Sequence, residues 1–209
     1  MVALAKRMAA PLQYSDRRKI LCSLPIAVLV IIAALDSADK ALLGASFPML
    51  EATLGLTVDT LGYFSLFTNL SYALCLPLWG WLVHRFTVRN AHNILCLSCF
   101  LWGLATLSIA KSETVVSQAF FRSLNGASLA SILPLSQMML VDLVPISMRG
   151  SAFGLMGLME KAAATIATSA VVWFDDWRIP YLVVGSTSVL MAFAAKQTLG
   201  MKTKIKADE

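Results

Sequence analysis

Six long apolar stretches, separated by short polar turns, dominate the chain. A membrane-spanning helix needs about 20 mostly apolar residues, because the hydrocarbon core is about 30 Å thick and a helix rises about 1.5 Å per residue. The first stretch runs roughly over 20–50 and is interrupted by Asp36, Asp39 and Lys40. The others cover about 60–83, 91–110, 114–143, 151–173 and 179–199. Pro134 predicts a kink in the fourth, and Pro180 suits the first turn of the sixth. The stretches are too long for strands and lack the period-two alternation of a membrane barrel. The predicted fold class is therefore an all-α membrane protein with six transmembrane helices. The predicted organisation is a tail over 1–19, one six-helix domain over 20–200 and a second tail over 201–209, with no Pro/Gly/Ser-rich linker.

Composition narrows the function classes. Hydrophobic residues make up 58% of the chain and charged residues 14%, against about 25% charged in a soluble domain. That excludes an ordinary soluble enzyme, a disordered tail, a disulfide-stapled module and a nucleic-acid partner; the expected surroundings are a lipid bilayer. The net charge of +5 follows from topology. With both termini cytoplasmic, twelve of the seventeen basic residues fall in inner segments and two, Lys111 and Arg178, in outer loops. This is a positive-inside bias. Trp173, Trp177 and Tyr181 then cluster at an outer turn, where interfacial anchors are expected. No apolar core precedes residue 20, so 1–19 reads as a cytoplasmic tail rather than a signal peptide.

Candidate chemistry comes from ionisable residues inside the apolar runs: Asp36, Asp39, Lys40, Arg122, Glu160 and Lys161. A charge at the bilayer centre costs about 2.5–3.5 kcal/mol on insertion scales, so such residues face protein or water. Lys40 and Arg122 each lie about 12 Å below the outer surface and Lys161 about 18 Å. Asp36, Asp39 and Lys40 share one helical arc. Asp36 and Lys40 are an i,i+4 pair with the acid first, the favourable order. Arg122, Asn125, Gly126, Ser136 and Gln137 form a polar stripe on the fourth run. On the fifth, Gly150, Gly154 and Gly157 lead to Lys161, with Glu160 pointing about 100° away. The functional reading is a central polar cavity lined by the first, fourth and fifth helices, binding a charged solute or passing protons. The structural alternative is a set of ion pairs fixing helix packing. The glycine strip alone reads as a close helix contact.

Other constellations carry less. Cys96 and Cys99 have a redox or zinc spacing but sit in an apolar run without a second pair. With Cys22 and Cys75 they read as packed thiols. His84 and His92 lack metal partners, so no metal or cofactor is expected. An intramembrane serine protease needs a histidine within a helix core. Both histidines flank a cytoplasmic turn, which argues against an enzyme. A non-transporting membrane scaffold stays open as the rival class.

Several short motifs are more specific. The turn after the second helix, Gly80-Trp81-Leu82-Val83-His84-Arg85-Phe86-Thr87-Val88-Arg89, resembles the signature Gly-x-Leu-x-Asp-Arg-x-Gly-Arg-Arg of the major facilitator superfamily. His84 stands in place of the acid, Thr87 in place of the second glycine and Val88 in place of one basic residue. Arg122-Ser123-Leu124-Asn125-Gly126 is similar to that family's Arg-x-x-Gln-Gly element. Asp39-Lys40 with Pro48, Met148-Arg149-Gly150, and Trp177-Arg178-Ile179-Pro180-Tyr181 resemble its features around the first, fifth and sixth helices. The resemblance covers about residues 20–200 and only the N-terminal half of a twelve-helix carrier, a bundle of two three-helix repeats. It implies secondary active transport by alternating access. Gly80, His84, Arg85, Arg89 and Arg149 would form a cytoplasmic gate. Lys40 and Arg122 would attract an organic anion or phosphorylated metabolite, and Asp36 or Asp39 would take a coupling proton. Two six-helix bodies are needed, so the implied partner is a second copy of the chain or a C-terminal half. A truncated remnant without transport is the alternative.

Overall fold

The computed structural model describes residues 23–86, 91–174 and 176–208, without the side chains of Phe86 and 201–208. Among these residues every regular element is helical. Helices α1 (Leu24–Ala45) and α2 (Phe47–Leu54) replace the single first run. Ser46 separates them, and Gly55 ends α2 with φ 62°, a left-handed cap that favours glycine. Helix α3 spans Val58–Phe86, with Asp59 in its first turn and His84 and Arg85 in its last, matching the helix dipole at both ends. Helix α4 spans Ala91–Lys111. Helix α5, Val115–Leu143, starts at Thr114, whose hydroxyl accepts from the Ser117 amide at 3.2 Å, and continues through Pro134. A 3₁₀ turn, Ile146–Met148, leads to α6 (Arg149–Phe174), and α7 covers Arg178–Asp208.

Among the described residues, five helical segments are long and apolar enough to cross a membrane: α3, α4, α5, the Ile146–Phe174 segment containing α6, and α7. The sequence count of six is corrected to five by that measure. Helix α1 has the length, at 22 residues, but every 18-residue stretch of it contains Asp36, Asp39 and Lys40.

Packing is pairwise: α1 lies along α6, α3 along α5, and α4 along α7 and α5. Helices α1, α4 and α5 therefore carry most of the core, including Leu29, Ile32, Leu95, Trp102 and Leu129. Small residues set two of the crossings. A Cβ on Gly103 would stand 2.9 Å from the Gly185 carbonyl oxygen, and one on Gly185 3.1 Å from that of Gly103, so α4 and α7 touch backbone to backbone. A Cβ on Gly126 would stand 2.1 Å from the Thr68 carbonyl oxygen, locking α5 onto α3.

The glycines of α6 differ. Gly150, Gly154 and Gly157 have nothing within 4 Å of a would-be Cβ, which corrects the expected close contact. The buried residues of α6 are Ala152, Met156, Ala167 and Val171. They lie on another face of the helix, centred about 115° away at about 100° per residue. Trp177 and Tyr181 are also corrected. Both are 1% exposed and pack edge to face with ring centroids 6.0 Å apart, rather than sitting at an interface. Trp173 is 79% exposed, as a membrane-boundary residue can be.

Candidate functional site

Helices α1, α4, α5 and α7 bring a polar network into the middle of this apolar bundle. Asp39 of α1 is 5% exposed. Its Oδ1 accepts from the Thr106 hydroxyl of α4 at 3.1 Å, and its Oδ2 from Asn125 Nδ2 of α5 at 3.0 Å. Asn125 Nδ2 also donates to Thr106 Oγ1 at 3.0 Å, and that hydroxyl reaches the Trp102 carbonyl at 3.0 Å. Three helices are thus tied through one carboxylate and neutral donors.

Arg122, one turn from Asn125 on α5, is 2% exposed. Its Nε donates to Gln118 Oε1 at 3.2 Å and its Nη1 to the Tyr181 hydroxyl at 3.4 Å. The rings of Phe64 and Tyr181 lie 5.4 and 5.6 Å from its guanidinium carbon. The Tyr181 hydroxyl pairs in turn with Ser46 Oγ at 3.2 Å, where α1 gives way to α2. Nη2 of Arg122 is buried with no partner. No carboxylate forms an ion pair with Arg122, and no cation forms one with Asp39, among the described residues. The Arg122 charge still acts on Asp39 at longer range.

Lys40 behaves differently. Its Nζ donates to Asp36 Oδ2 at 2.7 Å and lies 5.0 Å from the Tyr72 ring centroid. Asp36 is almost completely buried while the Lys40 side chain is 41% exposed, so the pair joins the core to the exposed edge of the bundle. Asp36 Oδ1 has no partner.

A cavity of about 20 Å³ lies among these groups, lined by Asp39, Lys40, Leu43, Thr68, Ile109, Arg122, Asn125, Leu129 and Tyr181. That volume holds about one water. Of the expected group, Asp39, Lys40, Arg122 and Asn125 line this cavity, and Asp36 meets it only through Lys40. The expected lining by the fifth membrane helix is not found: α6 contributes none of these lining residues. Lys161 is exposed and Glu160 half-buried on its flank. On the stripe of α5, Ser136 is buried but Gln137 is exposed. Sequence reasoning missed Thr106, Gln118, Ser46 and the inward role of Tyr181. Only Gln118 had a readable signal, being four residues before Arg122 and so on the same face.

The cytoplasmic candidates are more scattered. Gly80, His84 and Arg85 are exposed near the end of α3, and Arg89 lies outside the described residues. Arg149 is half-buried. Its Nη2 donates to the Val141 carbonyl at 3.1 Å and its Nε to that of Val144 at 3.4 Å, capping the end of α5. Cys96 and Cys99 are buried and unpaired, and Cys75 is half-buried and unpaired.

Comparison with known proteins follows the same lines. The chain is 26% identical over 178 residues to a D-galactonate transporter of Escherichia coli O6:H1, covering 83% of this chain and 40% of that protein. It is 27% identical over 175 residues to a probable galactarate/D-glucarate transporter of Bacillus subtilis, covering 79% and 38%. The fold matches a bacterial homologue of the human lysosomal transporter Spinster in its inward-facing, unoccupied conformation, with TM-score 0.69 at 19% identity, over 83% of this chain and 42% of that one. The chain thus spans about two fifths of the length of these relatives. Its long apolar helices and these relatives make it an integral, multi-pass membrane protein. The sequence pattern of the Major Facilitator Superfamily matches residues 29–200, and the chain belongs to that family.

Proposed function

We propose that this chain forms the anion-binding half of a secondary active transporter that works by alternating access. The observation that carries the reading is Arg122: a guanidinium 2% exposed, without a carboxylate partner, with Nη2 unpaired, beside a polar cavity. A buried cation held by neutral groups keeps its charge for a ligand. Lys40 lines the same cavity, its charge shared with Asp36. A carboxylate or phosphate is the matching chemistry, and the sugar-acid relatives favour a hydroxylated carboxylate. A cavity of about 20 Å³ is smaller than any such solute, so binding requires the helices or a second body to open the site.

Asp39 is the candidate proton carrier, making the reading a symport, with Asp36 as the alternative carrier. Its hydrogen-bond partners, Asn125 and Thr106, are neutral, so its charge is set by the proton rather than by a fixed ion pair. Asn in its place mimics the protonated form. Asp39→Asn is expected to abolish uphill uptake of D-galactonate or gluconate driven by a pH gradient in proteoliposomes. Exchange of internal for external solute should stay within about threefold of wild type. Loss of both would contradict the proton role.

The transport unit needs a second six-helix body, either another copy of this chain or a C-terminal half. Lys161 supports this. It is exposed midway along α6 beside open glycines, where a lipid-facing charge would be costly. Both termini, 1–19 and 201–209, are cytoplasmic in this reading. Gly80, His84, Arg85, Arg89 and Arg149 form the inner gate, with Arg149 anchored on α5. A scaffold role is the second reading. The bonds of Asp39 to Thr106 and Asn125 favour it, since they tie α1 to α4 and α5, whereas the Asp36–Lys40 pair lies within α1. A scaffold should tolerate Lys40→Met with no change in assembly, whereas a carrier should lose uptake.

A further inference from the structure

We infer that Gln118 is a positioning residue, a fixed bracket that presents the Arg122 guanidinium to its anion. The inference rests on the proposed anion site and names a part of it that no motif contains. Gln118 is 0% exposed, one turn before Arg122 on α5. Its amide nitrogen donates to the Ile109 carbonyl at 3.2 Å and to the Ser112 carbonyl at 3.0 Å, at the C-terminal end of α4. Its amide oxygen accepts from Arg122 Nε at 3.2 Å. All three bonds fit only one orientation of the amide, because a rotated amide would set its oxygen against two carbonyl oxygens. The bracket is therefore anchored on α4 and holds Arg122 of α5.

Consequences follow for the guanidinium. Nε is held by Gln118 and Nη1 by the Tyr181 hydroxyl, and Nη2 is the side-chain nitrogen without a partner. An arginine side chain fixed before binding loses less rotamer freedom when an anion arrives. A neutral amide does this without cancelling the charge. A glutamate at the same position would hold Nε equally well but neutralise the group and face two carbonyl oxygens.

Two variants separate positioning from simple packing. In the full chain in lipid nanodiscs with ¹⁵N-labelled arginine, one Nε–H signal should be protected from solvent exchange and vanish in Arg122→Lys. Gln118→Met, close in size, should lose that protection by at least tenfold, and its affinity for gluconate should fall about tenfold, which is about 1.4 kcal/mol. Gln118→Glu should keep the protection and still lose gluconate affinity, by at least tenfold. Helical content by circular dichroism should match wild type in both. Unchanged protection in Gln118→Met would overturn the proposal, as would lost protection with unchanged gluconate affinity; in the latter case the anion site itself stands. Failure of the wild-type chain to bind gluconate, or wild-type affinity in Arg122→Met, would remove the anion site and the bracket with it.

Discussion

Arg122→Met is expected to reduce anion uptake in proteoliposomes by at least about 100-fold, while expression and helical content stay near wild type. The size follows from losing a desolvated cation that meets the ligand's charge, worth about 3 kcal/mol where charge-assisted hydrogen bonds form out of water. Methionine keeps much of the stem volume between Phe64 and Tyr181 and adds no polar group. The folded bundle should not suffer as it would if Arg122 neutralised a buried acid. Asp39 keeps its bonds from Thr106 and Asn125 in the variant, because neither runs through Arg122. Removing the unpaired Nη2 relieves a buried, unsatisfied donor, while Gln118 Oε1 loses its donor, so the two effects oppose each other. The variant should therefore unfold in detergent near the wild-type temperature. Reduced uptake with lower stability would instead point to a packing role.

Gly126→Val should have the opposite signature: loss of the fold rather than of the site. A Cβ at Gly126 would lie 2.1 Å from the Thr68 carbonyl oxygen and 2.9 Å from its carbonyl carbon, both backbone atoms that cannot rotate away. Helix α3 would have to move off α5, breaking the Trp79 indole bond to the Ala127 carbonyl at 2.7 Å and displacing Phe64 from Arg122. Overpacking of this kind costs about 3 kcal/mol, and more for a branched side chain. The expected result is aggregation on extraction, or a thermal midpoint in detergent many degrees below wild type. The same substitution at Gly154, where nothing lies within 4 Å of a Cβ, should leave the isolated chain's midpoint unchanged.

The sequence reveals the site's charges and hides most of its partners. Asp36, Asp39, Lys40 and Arg122 are legible because a charge among apolar residues needs a specific reason to persist. Asn125 follows from its place on the Arg122 stripe. Thr106 is not legible, since a threonine in an apolar helix ordinarily bonds back to its own backbone, as this one also does toward Trp102. Tyr181 was misread because it follows a turn rich in aromatic and charged residues. Only the packing of α7 against α4 and α1 turns it inward. The glycines of α6 were misread for a related reason. Periodicity defines a small-residue face, but which side of a helix meets a neighbour depends on the neighbour. Here α1 covers the Ala152–Met156 side. The break at Ser46 likewise falls in the uncharged stretch 41–50, where hydropathy shows no interruption. Its hydroxyl bonds back to the Leu43 carbonyl at 3.1 Å and across to Tyr181, so a local residue and a distant one fix it together.

Access of water to the charged centre is the most direct test of this account. Thr68 borders the cavity on α3, and cysteine is nearly its equal in size. Thr68→Cys would be placed in a chain whose native cysteines are replaced by alanine. Leu190→Cys, at a position of α7 that is 63% exposed, serves as the control. The account predicts that a membrane-impermeant, charged thiosulfonate labels position 68, that gluconate slows this labelling, and that position 190 stays unlabelled in the bilayer. A position 68 that resists the reagent in assembled, transport-ready protein would contradict it, because the charges would then be sealed packing elements rather than the walls of a binding site.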